Sequence, residues 1–177
     1  ANLTGEGNVA VGGSAGLGQT TGEKNVWIGG SAGAAMNGDK NVAVGSSAMY
    51  GVGTPTGDFN VAMGYQAMKG ATAALTGDNN VAVGKDAGLI LQGAGASNTL
   101  VGSGCGAAMT TAQYNTFVGY ACGDAVSTVG SQTALGYNAL GNGAGGDGVT
   151  AIGDGALSVC AGDANIGLGH NAGNTIT

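Results

Sequence analysis

The pentapeptide Asn41-Val-Ala-Val-Gly45 returns as Asn80-Val-Ala-Val-Gly84 and, with small changes, along the whole of the 177-residue chain. Aligning the copies on the final glycine gives ten repeats that follow one another at similar intervals. Because the repeats fill the chain, we predict a single repeat domain over residues 1–177. The aligned glycines are Gly12, Gly29, Gly45, Gly64, Gly84, Gly102, Gly119, Gly136, Gly153 and Gly169.

The composition excludes helical repeats. Glycine accounts for 40 of 177 residues, only 8% of the residues are charged, and there is one proline. Glycine at this density breaks helices, and about 17 residues are too few for a helix pair. A strand of about five residues, a glycine corner and a second short segment fit one turn of a solenoid. The sequence therefore predicts an all-β fold, a parallel β-solenoid of about ten coils with a repeat of roughly 17 residues.

Two columns of the aligned repeats carry the bulky residues. The residue before the glycine is always large and apolar, and the residue three before it is always β-branched. Alternate residues of a strand share a face, so we predict that both columns point into the solenoid. The predicted solenoid core is Val11, Ile28, Val44, Met63, Val83, Val101, Val118, Leu135, Ile152 and Leu168.

The column between them is then expected to point outward. A solvated strand face would carry polar residues there, but this column is mostly alanine with a few larger apolar residues. It is either tolerated exposed alanine or a surface that packs against another copy of the chain. The second interpretation gives these candidates for an interface between copies: Ala10, Trp27, Ala43, Ala62, Ala82, Leu100, Phe117, Ala134 and Ala151.

Two further columns are polar or small. Four residues before the glycine, eight of ten repeats carry asparagine, which suits a corner and can bond from coil to coil. Three residues after it, every repeat has alanine except for Cys105 and Cys122. Stacking places these two cysteines about 5 Å apart, within disulfide range, but parallel side chains bridge poorly, so we favour free thiols. Cys160 lies in a connecting segment without a matching cysteine.

The charge balance argues against several partners. The net charge is −6, with four lysines, no arginine and one histidine, so neither nucleic acid nor an anionic membrane surface is an expected partner. No apolar run approaches the roughly 20 residues of a membrane-spanning helix, and no membrane insertion is expected. The chain shows no signal peptide and no initiator methionine, which indicates a processed product or part of something longer.

Motifs that suggest catalysis have simpler explanations here. Gly12-Gly-Ser-Ala-Gly16 and Gly29-Gly-Ser-Ala-Gly33 match a nucleophile elbow, but they belong to the repeat and have no histidine nearby. His170 is expected on the surface, and Gly141-Asn-Gly-Ala-Gly-Gly146 matches a dinucleotide fingerprint without a following helix. We therefore expect no enzyme, no cofactor, and no metal site built from cysteine and histidine.

An acidic column precedes the asparagines. In stacked coils its carboxylates would approach one another, so the column is either an ordinary solvated turn, which we favour, or a site for a cation such as Ca²⁺. The residues are Glu6, Glu23, Asp39, Asp58, Asp78 and Asp163.

Longer connections at 50–56, 69–76 and 89–96 are candidates for contact with a ligand, or else they pack against a neighbouring copy. Three tyrosines share the column just after the glycine, where exposed rings could stack on sugars. These surface-contact candidates are Tyr65, Tyr120 and Tyr137.

The repeat resembles two known families. Asn-Val-Ala-Val-Gly-x-x-Ala is similar to the head repeats of trimeric autotransporter adhesins, which are left-handed parallel β-rolls in homotrimers. Asn115-Thr-Phe-Val-Gly-Tyr120 and Thr133-Ala-Leu-Gly-Tyr-Asn-Ala-Leu140 look closer still to bacteriophage tail-fibre repeats that precede an endosialidase-type chaperone. The resemblance implies a left-handed homotrimer in a virion tail fibre or elsewhere outside the cell, a rigid shaft or a host-contacting head.

That resemblance also implies a cell-surface glycan or protein receptor as a partner. The alternative function is the head of a bacterial surface adhesin. A third hypothesis, an ice-binding solenoid, needs a flat threonine array. The chain offers one broken column for such an array, Thr4, Thr21, Thr56 and Thr76.

Overall fold

Each copy of the pentapeptide forms a short β-strand in the computed structural model, which describes residues 5–70, 72–143 and 145–176. The strands are β1 Val9–Val11, β2 Val26–Ile28, β3 Val42–Val44, β4 Val61–Met63, β5 Val81–Val83, β6 Thr99–Val101, β7 Thr116–Val118, β8 Thr133–Leu135, β9 Thr150–Ile152, β10 Val159–Cys160, β11 Ile166–Leu168 and β12 Thr175–Ile176. β1–β9 and β11 form one ten-stranded sheet in which every strand pairs in parallel with the next. β10 and β12 form a second, two-stranded parallel sheet.

The strands stack in the register that the sequence alignment predicts. Val9 pairs with Val26, and Val42 pairs with Val61, although the second step along the chain is longer than the first. Insertions are therefore absorbed between the strands, and equivalent residues form continuous columns along the solenoid. The all-β class, the parallel solenoid and the length of the repeat are confirmed.

The repeat glycine is required by both its backbone conformation and its neighbours. Gly12 has φ +129°, a conformation that residues with a Cβ rarely adopt, and Gly29 repeats it at φ +131°. A Cβ placed on Gly12 would lie 2.7 Å from the carbonyl oxygen of Gly29. Stacking the backbone of successive coils this closely therefore excludes every other residue from this corner.

The interior lies between the strand wall and a facing wall, and most residues of both walls are small. The central residue of each strand points inward, and almost all of this column is 0 or 1% exposed. The facing wall is the column three residues after the glycine, where Ala32, Ala48, Cys105 and Cys122 are all buried. Where alanine faces alanine, the space between the two walls is narrow. Each strand of the ten-stranded sheet contributes only its central residue to this space.

The predicted solenoid core is therefore wrong. Val11 is 56% exposed and Leu168 66% exposed, and Ile28, Met63 and Leu135 are exposed as well. The rest of that column is half-buried: Val44, Val83, Val101, Val118 and Ile152. In a three-residue strand the outer two residues share a face opposite to the central one, and the narrow interior accepts the smaller column.

The residues predicted to face another copy are inside instead. Trp27, Leu100 and Phe117, the largest of them, are completely buried within the chain. The same holds for Ala43, Ala62, Ala82, Ala134 and Ala151. Ala10 alone is exposed; it lies in β1, the end strand of the described sheet. None of the buried side chains is available to a partner.

Buried asparagines tie the coils together, as expected from their column. Asn60 donates from Nδ2 to the carbonyl of Gly77 at 3.0 Å, and its Oδ1 accepts the backbone N–H of Asn80 at 2.9 Å. The left-handed corner lies one residue earlier, for example at Phe59 with φ +57°. The ladder comprises Asn25, Asn41, Asn60, Asn80, Asn98, Asn115 and Gln132, all of which are buried.

Candidate interaction surface

The outward side of the ten-stranded sheet is an extended surface of mostly apolar residues. It carries the two bulky columns, the first and third residue of every strand, and we call it the outer face. Residues of one column lie directly above one another, for instance Val26 beside Val42 and Ile28 beside Val44. None of the residues of these two columns is charged, and none is buried. Since a solvated strand face is normally polar, the outer face has the composition of an interface.

The outer face changes its chemistry halfway along. Its first column carries valine in β1–β5 and threonine in β6–β9, whereas its second column is apolar throughout. The pairing Thr99–Thr116–Thr133–Thr150 places the four threonines side by side on consecutive strands. The threonines that the sequence offered for a flat array, Thr21, Thr56 and Thr76, are exposed but lie outside the outer face, and Thr4 lies outside the described residues.

The surface tyrosines lie where the sequence predicted. Tyr65, Tyr120 and Tyr137 are 50, 58 and 59% exposed. Tyr120 and Tyr137 stack with ring centroids 5.5 Å apart and an interplanar angle of 7°, so each ring covers one face of the other. Tyr65 is three coils away from Tyr120 and does not join the pair. The structure therefore brings together two of the three predicted contact residues.

A second exposed aromatic group was not predicted from the sequence. The ammonium group of Lys40 lies over the ring of Phe59 at 4.6 Å, and Tyr114 occupies the same column further along. All three have positive φ, immediately before the buried asparagine or its equivalent. The signal available in the sequence was their shared position in the repeat, one residue before the asparagine column.

The three longer connections are partly packed rather than freely projecting. Pro55, Leu75 and Leu91 are buried, one from each connection. Leu75 forms a β-bridge with Gly93, and the backbone N–H of Gly93 donates to Ala74 at 2.7 Å. The insertions therefore pack in part against neighbouring coils, and the residues that stay exposed include Thr54, Thr72 and Ala94.

The acidic column has a structural explanation. Asp39, Asp58 and Asp78 each accept the backbone N–H of the corresponding residue one coil earlier, at 2.7 to 2.8 Å. Hydrogen bonds of this kind keep a carboxylate stable without a cation. Among the described residues, no group of three or more histidine, cysteine or acidic side chains is placed to hold a metal ion.

Cys105 and Cys122 are free, buried neighbours in one column, as we favoured. The thiol of Cys105 lies 3.4 Å from the carbonyl oxygen of Phe117. Its hydrogen bond with Cys122, followed by burial, raises the pKa of the Cys105 thiol above its ordinary value. The raised pKa keeps the Cys105 thiol protonated, and both buried cysteines fill the core as small apolar groups.

Two other ionisable groups have shifted pKa values. A hydrogen bond and an ion pair with Asp86 raise the pKa of Lys85, which lies on the surface. Burial raises the pKa of Asp124, whose Oδ1 is buried without a hydrogen-bond partner. Neither lies in the coils of Ser14 and Ser31, the serines of the elbow-like motifs, or in the coil of His170.

The described residues contain no helix that is long and apolar enough to span a membrane, and no small-molecule pocket opens in that part of the chain. Comparison with protein-family models, with curated proteins and with solved structures gave no match. The resemblance of the repeat to tail-fibre and adhesin repeats therefore stays a prediction.

Proposed function

We propose that the chain is a rigid segment of a trimeric extracellular fibre, of the tail-fibre type, and serves as a shaft or as a host-contacting head. The observation that carries this proposal is the outer face, in which the two outward columns of ten in-register strands contain no charged and no buried residue. An apolar surface of this length is stable in water when it is covered. Three copies of the chain, wound left-handed as in the families that the repeat resembles, would cover it for one another.

The outer face alone is smaller than the surface that a stable pair of proteins usually buries, so the proposed trimer must bury the flanking corners as well. Ten stacked strands of three residues give a surface of about 45 Å by about 10 Å, or about 450 Å². A stable pairwise interface usually buries about 800 Å² on each partner. About a threefold axis, each copy contacts two neighbours and has one bulky column for each of them, and the flanking corners add to the buried area.

The solenoid supplies the rigidity that a fibre needs. Every coil is bonded to the next through backbone ladders, and inside through the asparagine ladder, for example Asn41 Nδ2 to Gly57 at 2.9 Å. These bonds run along the long axis, so bending or stretching the rod must break several at once. A fibre of three chains presents each surface feature three times, and weak contacts then add up to high avidity.

The surface tyrosines are the contact residues that we propose for a receptor glycan. Tyr120 and Tyr137 are exposed and held parallel, and each leaves one ring face uncovered. Pyranose rings pack on such faces through their apolar side. Binding to a glycan array should be lost in the variant Tyr120→Ala/Tyr137→Ala and kept in Tyr65→Ala, which serves as the matched control. Equal glycan binding by both variants would show that Tyr120 and Tyr137 are not the residues that contact the glycan.

The mass in solution tests the assembly. Light scattering after size exclusion should give about three times the chain mass of 16.6 kDa. A monomer would overturn the fibre proposal. The bacterial adhesin head predicts the same mass, and the flanking coding sequence separates the two: virion assembly or chaperone domains on one side, a stalk and membrane anchor on the other.

A second candidate function, an ice-binding solenoid, is favoured by the threonines of the outer face. Thr99, Thr116, Thr133 and Thr150 form an in-register row on consecutive strands, beside a row of apolar residues. This function requires the outer face to be uncovered, hence a monomer. Thermal hysteresis during freezing of the monomeric chain would support it, and a trimeric mass without hysteresis would exclude it.

A further inference from the structure

The chain contains two Asn–Gly dipeptides, Asn37-Gly38 and Asn142-Gly143. In such a pair the side-chain amide of asparagine is next to a backbone nitrogen that no Cβ shields, because the following residue is glycine. Asparagine is one of the residues that proteins lose chemically on heating. The structure places the two dipeptides in different surroundings, and this difference determines how each asparagine can react.

The side chain of Asn37 is held in place. Its Oδ1 accepts the backbone N–H of Thr20 at 2.7 Å, the hydroxyl of Thr20 at 2.9 Å and the backbone N–H of Thr21 at 3.3 Å. Asn37 is half-buried, and its own backbone N–H donates to Pro55 at 2.8 Å. Turning the side chain towards the nitrogen of Gly38 would break the hydrogen bonds that Oδ1 accepts.

The side chain of Asn142 is free to turn. Asn142 is exposed, and its side chain makes no hydrogen bond to any residue that the structure describes. The backbone N–H of Gly143 likewise donates to nothing within the described ranges. The amide carbon of Asn142 can therefore approach the nitrogen of Gly143 without breaking a hydrogen bond.

We propose that Asn142 is a site of spontaneous deamidation and that the fold protects Asn37 from the same reaction. The nitrogen of Gly143 bonds to Cγ of Asn142, the bond between Cγ and Nδ2 breaks, and Nδ2 leaves as ammonia with the proton of the Gly143 amide. Water then opens the cyclic imide at one of its two carbonyl groups. The product is aspartate or isoaspartate, and in isoaspartate the main chain runs through the former side chain.

The isoaspartate product does not fit the packing of this corner. It lengthens the main chain immediately before Gly143, where the neighbouring coil is very close. A Cβ placed on Gly143 would lie 2.5 Å from the backbone nitrogen of Cys160 and 2.7 Å from its carbonyl oxygen. The backbone N–H of Asn142 donates to Ser158 at 2.8 Å in the same contact. We therefore expect the isoaspartate form to open the contact between residues 142–143 and the coil of β10.

Peptide mapping by mass spectrometry, after incubation of the native chain at mildly alkaline pH, compares the two asparagines directly. In the folded chain, deamidation at position 142 should be at least about tenfold faster than at position 37, because the hydrogen bonds that Asn37 must break are together worth at least that factor. In urea both side chains are freed, and the two rates should become similar. Hydrogen exchange at the amide of residue 142 should be faster in the isoaspartate product than in the native chain.

Two variants confirm the assignment. Asn142→Gln has a longer side chain that closes a ring much more slowly, so the deamidated, more acidic form of the folded chain should no longer accumulate. Asn37→Gln is the matched control, and the acidic form should accumulate in it as fast as in the native chain.

Three outcomes would overturn the proposal. Equal rates at the two asparagines in the folded chain would show that the fold does not select between them. An acidic form that accumulates equally in Asn142→Gln would place the reaction elsewhere. A rate difference of the same size in urea would assign the selectivity to the neighbouring sequence rather than to the hydrogen bonds of Asn37.

Discussion

Gly123 lies so close to the ring of Phe117 that a side chain at position 123 would occupy the same space. A Cβ placed on Gly123 would be 2.9 Å from Phe117 Cζ and nearer still to Cδ2 and Cε2. The next coil reverses the sizes, with Ala134 on the strand and Leu140 six residues on, both of them buried. Trp27 and Gly33 repeat the first arrangement. In these coils a large residue on one wall is thus matched by a small residue on the other.

Gly123→Ala should strongly destabilise the chain. The added methyl overlaps the Phe117 ring, and φ +61° at this position is unfavourable for alanine. We expect a loss of about 2–4 kcal/mol in the free energy of unfolding, measured by urea denaturation. Phe117→Ala alone should cost about 3–5 kcal/mol through the cavity that it leaves.

The double variant Phe117→Ala/Gly123→Leu copies the alanine–leucine arrangement of the next coil. Leucine tolerates the backbone there, since Leu140 has φ +52°. The double variant should be more stable than Phe117→Ala, with a favourable coupling energy in the double-mutant cycle. A purely additive cycle would show that the two positions do not share one space.

This matching of a large residue on one wall with a small residue on the other is also a signal from which the sequence could have shown which column points inward. The repeat period, the strands and their pairing followed from the glycine and valine columns, because each coil must match the next. The two faces were inverted because bulky residues were assigned to the core by size alone. In several coils a large residue in the inward column is accompanied by a small one six residues later, or the reverse: Phe117 with Gly123, Ala134 with Leu140.

The surface was predictable only in part. The exposure of the tyrosines followed from their column, but the stacking of Tyr120 on Tyr137 depends on the side-chain conformations that adjacent coils allow. The packing of Pro55 and Leu75 was not predictable, because insertions of different length meet only once the coils are stacked. Hydrogen bonding by the acidic column likewise depends on which backbone N–H the neighbouring coil presents.

Asn60→Ala should cost about 3 kcal/mol in the free energy of unfolding. The change leaves the carbonyl of Gly77 and the N–H of Asn80 buried without their partners. Hydrogen exchange at the Asn80 amide should accelerate more than elsewhere. Asn142→Ala, at an exposed asparagine, is the control and should change the stability by less than about 0.5 kcal/mol. Similar losses of stability in Asn60→Ala and Asn142→Ala would show that the asparagine ladder does not stabilise the chain.

The stability should fall with rising pH because of Cys105. Its pKa is raised in the folded chain, so above the unfolded value of about 8.5 the unfolded state loses a proton that the folded state keeps. The contribution of Cys105 to the free energy of unfolding is fully present below that pH. Above it, this contribution falls by about 1.4 kcal/mol per pH unit. Urea midpoints at increasing pH should show this decline in the native chain.

Cys105→Ala isolates the effect, because alanine is the residue that most repeats carry in this column. In the variant, the free energy of unfolding should no longer show the fall that begins near the pKa of an unfolded cysteine. Parallel pH profiles for the variant and the native chain would assign the decline to other groups.

Met63→Lys should abolish self-association without unfolding the chain. Met63 lies on the outer face and is 44% exposed, so a single chain can keep a lysine there in water. Against neighbouring copies the ammonium group would be buried without a counter-ion, since the outer face carries no charge. We expect the mass to fall to that of one chain, 16.6 kDa, with an unchanged circular dichroism spectrum.

Thr111→Lys provides the control, since it adds the same charge at an exposed position away from the outer face. It should leave the mass of the assembly unchanged. An assembly that tolerates lysine at position 63 cannot be held together by the outer face, and another surface would have to be sought. If both lysine variants dissociate, the loss follows from the added charge rather than from its place on the chain, and the outer face again loses its role, because a charge far from the true interface should have little effect on it.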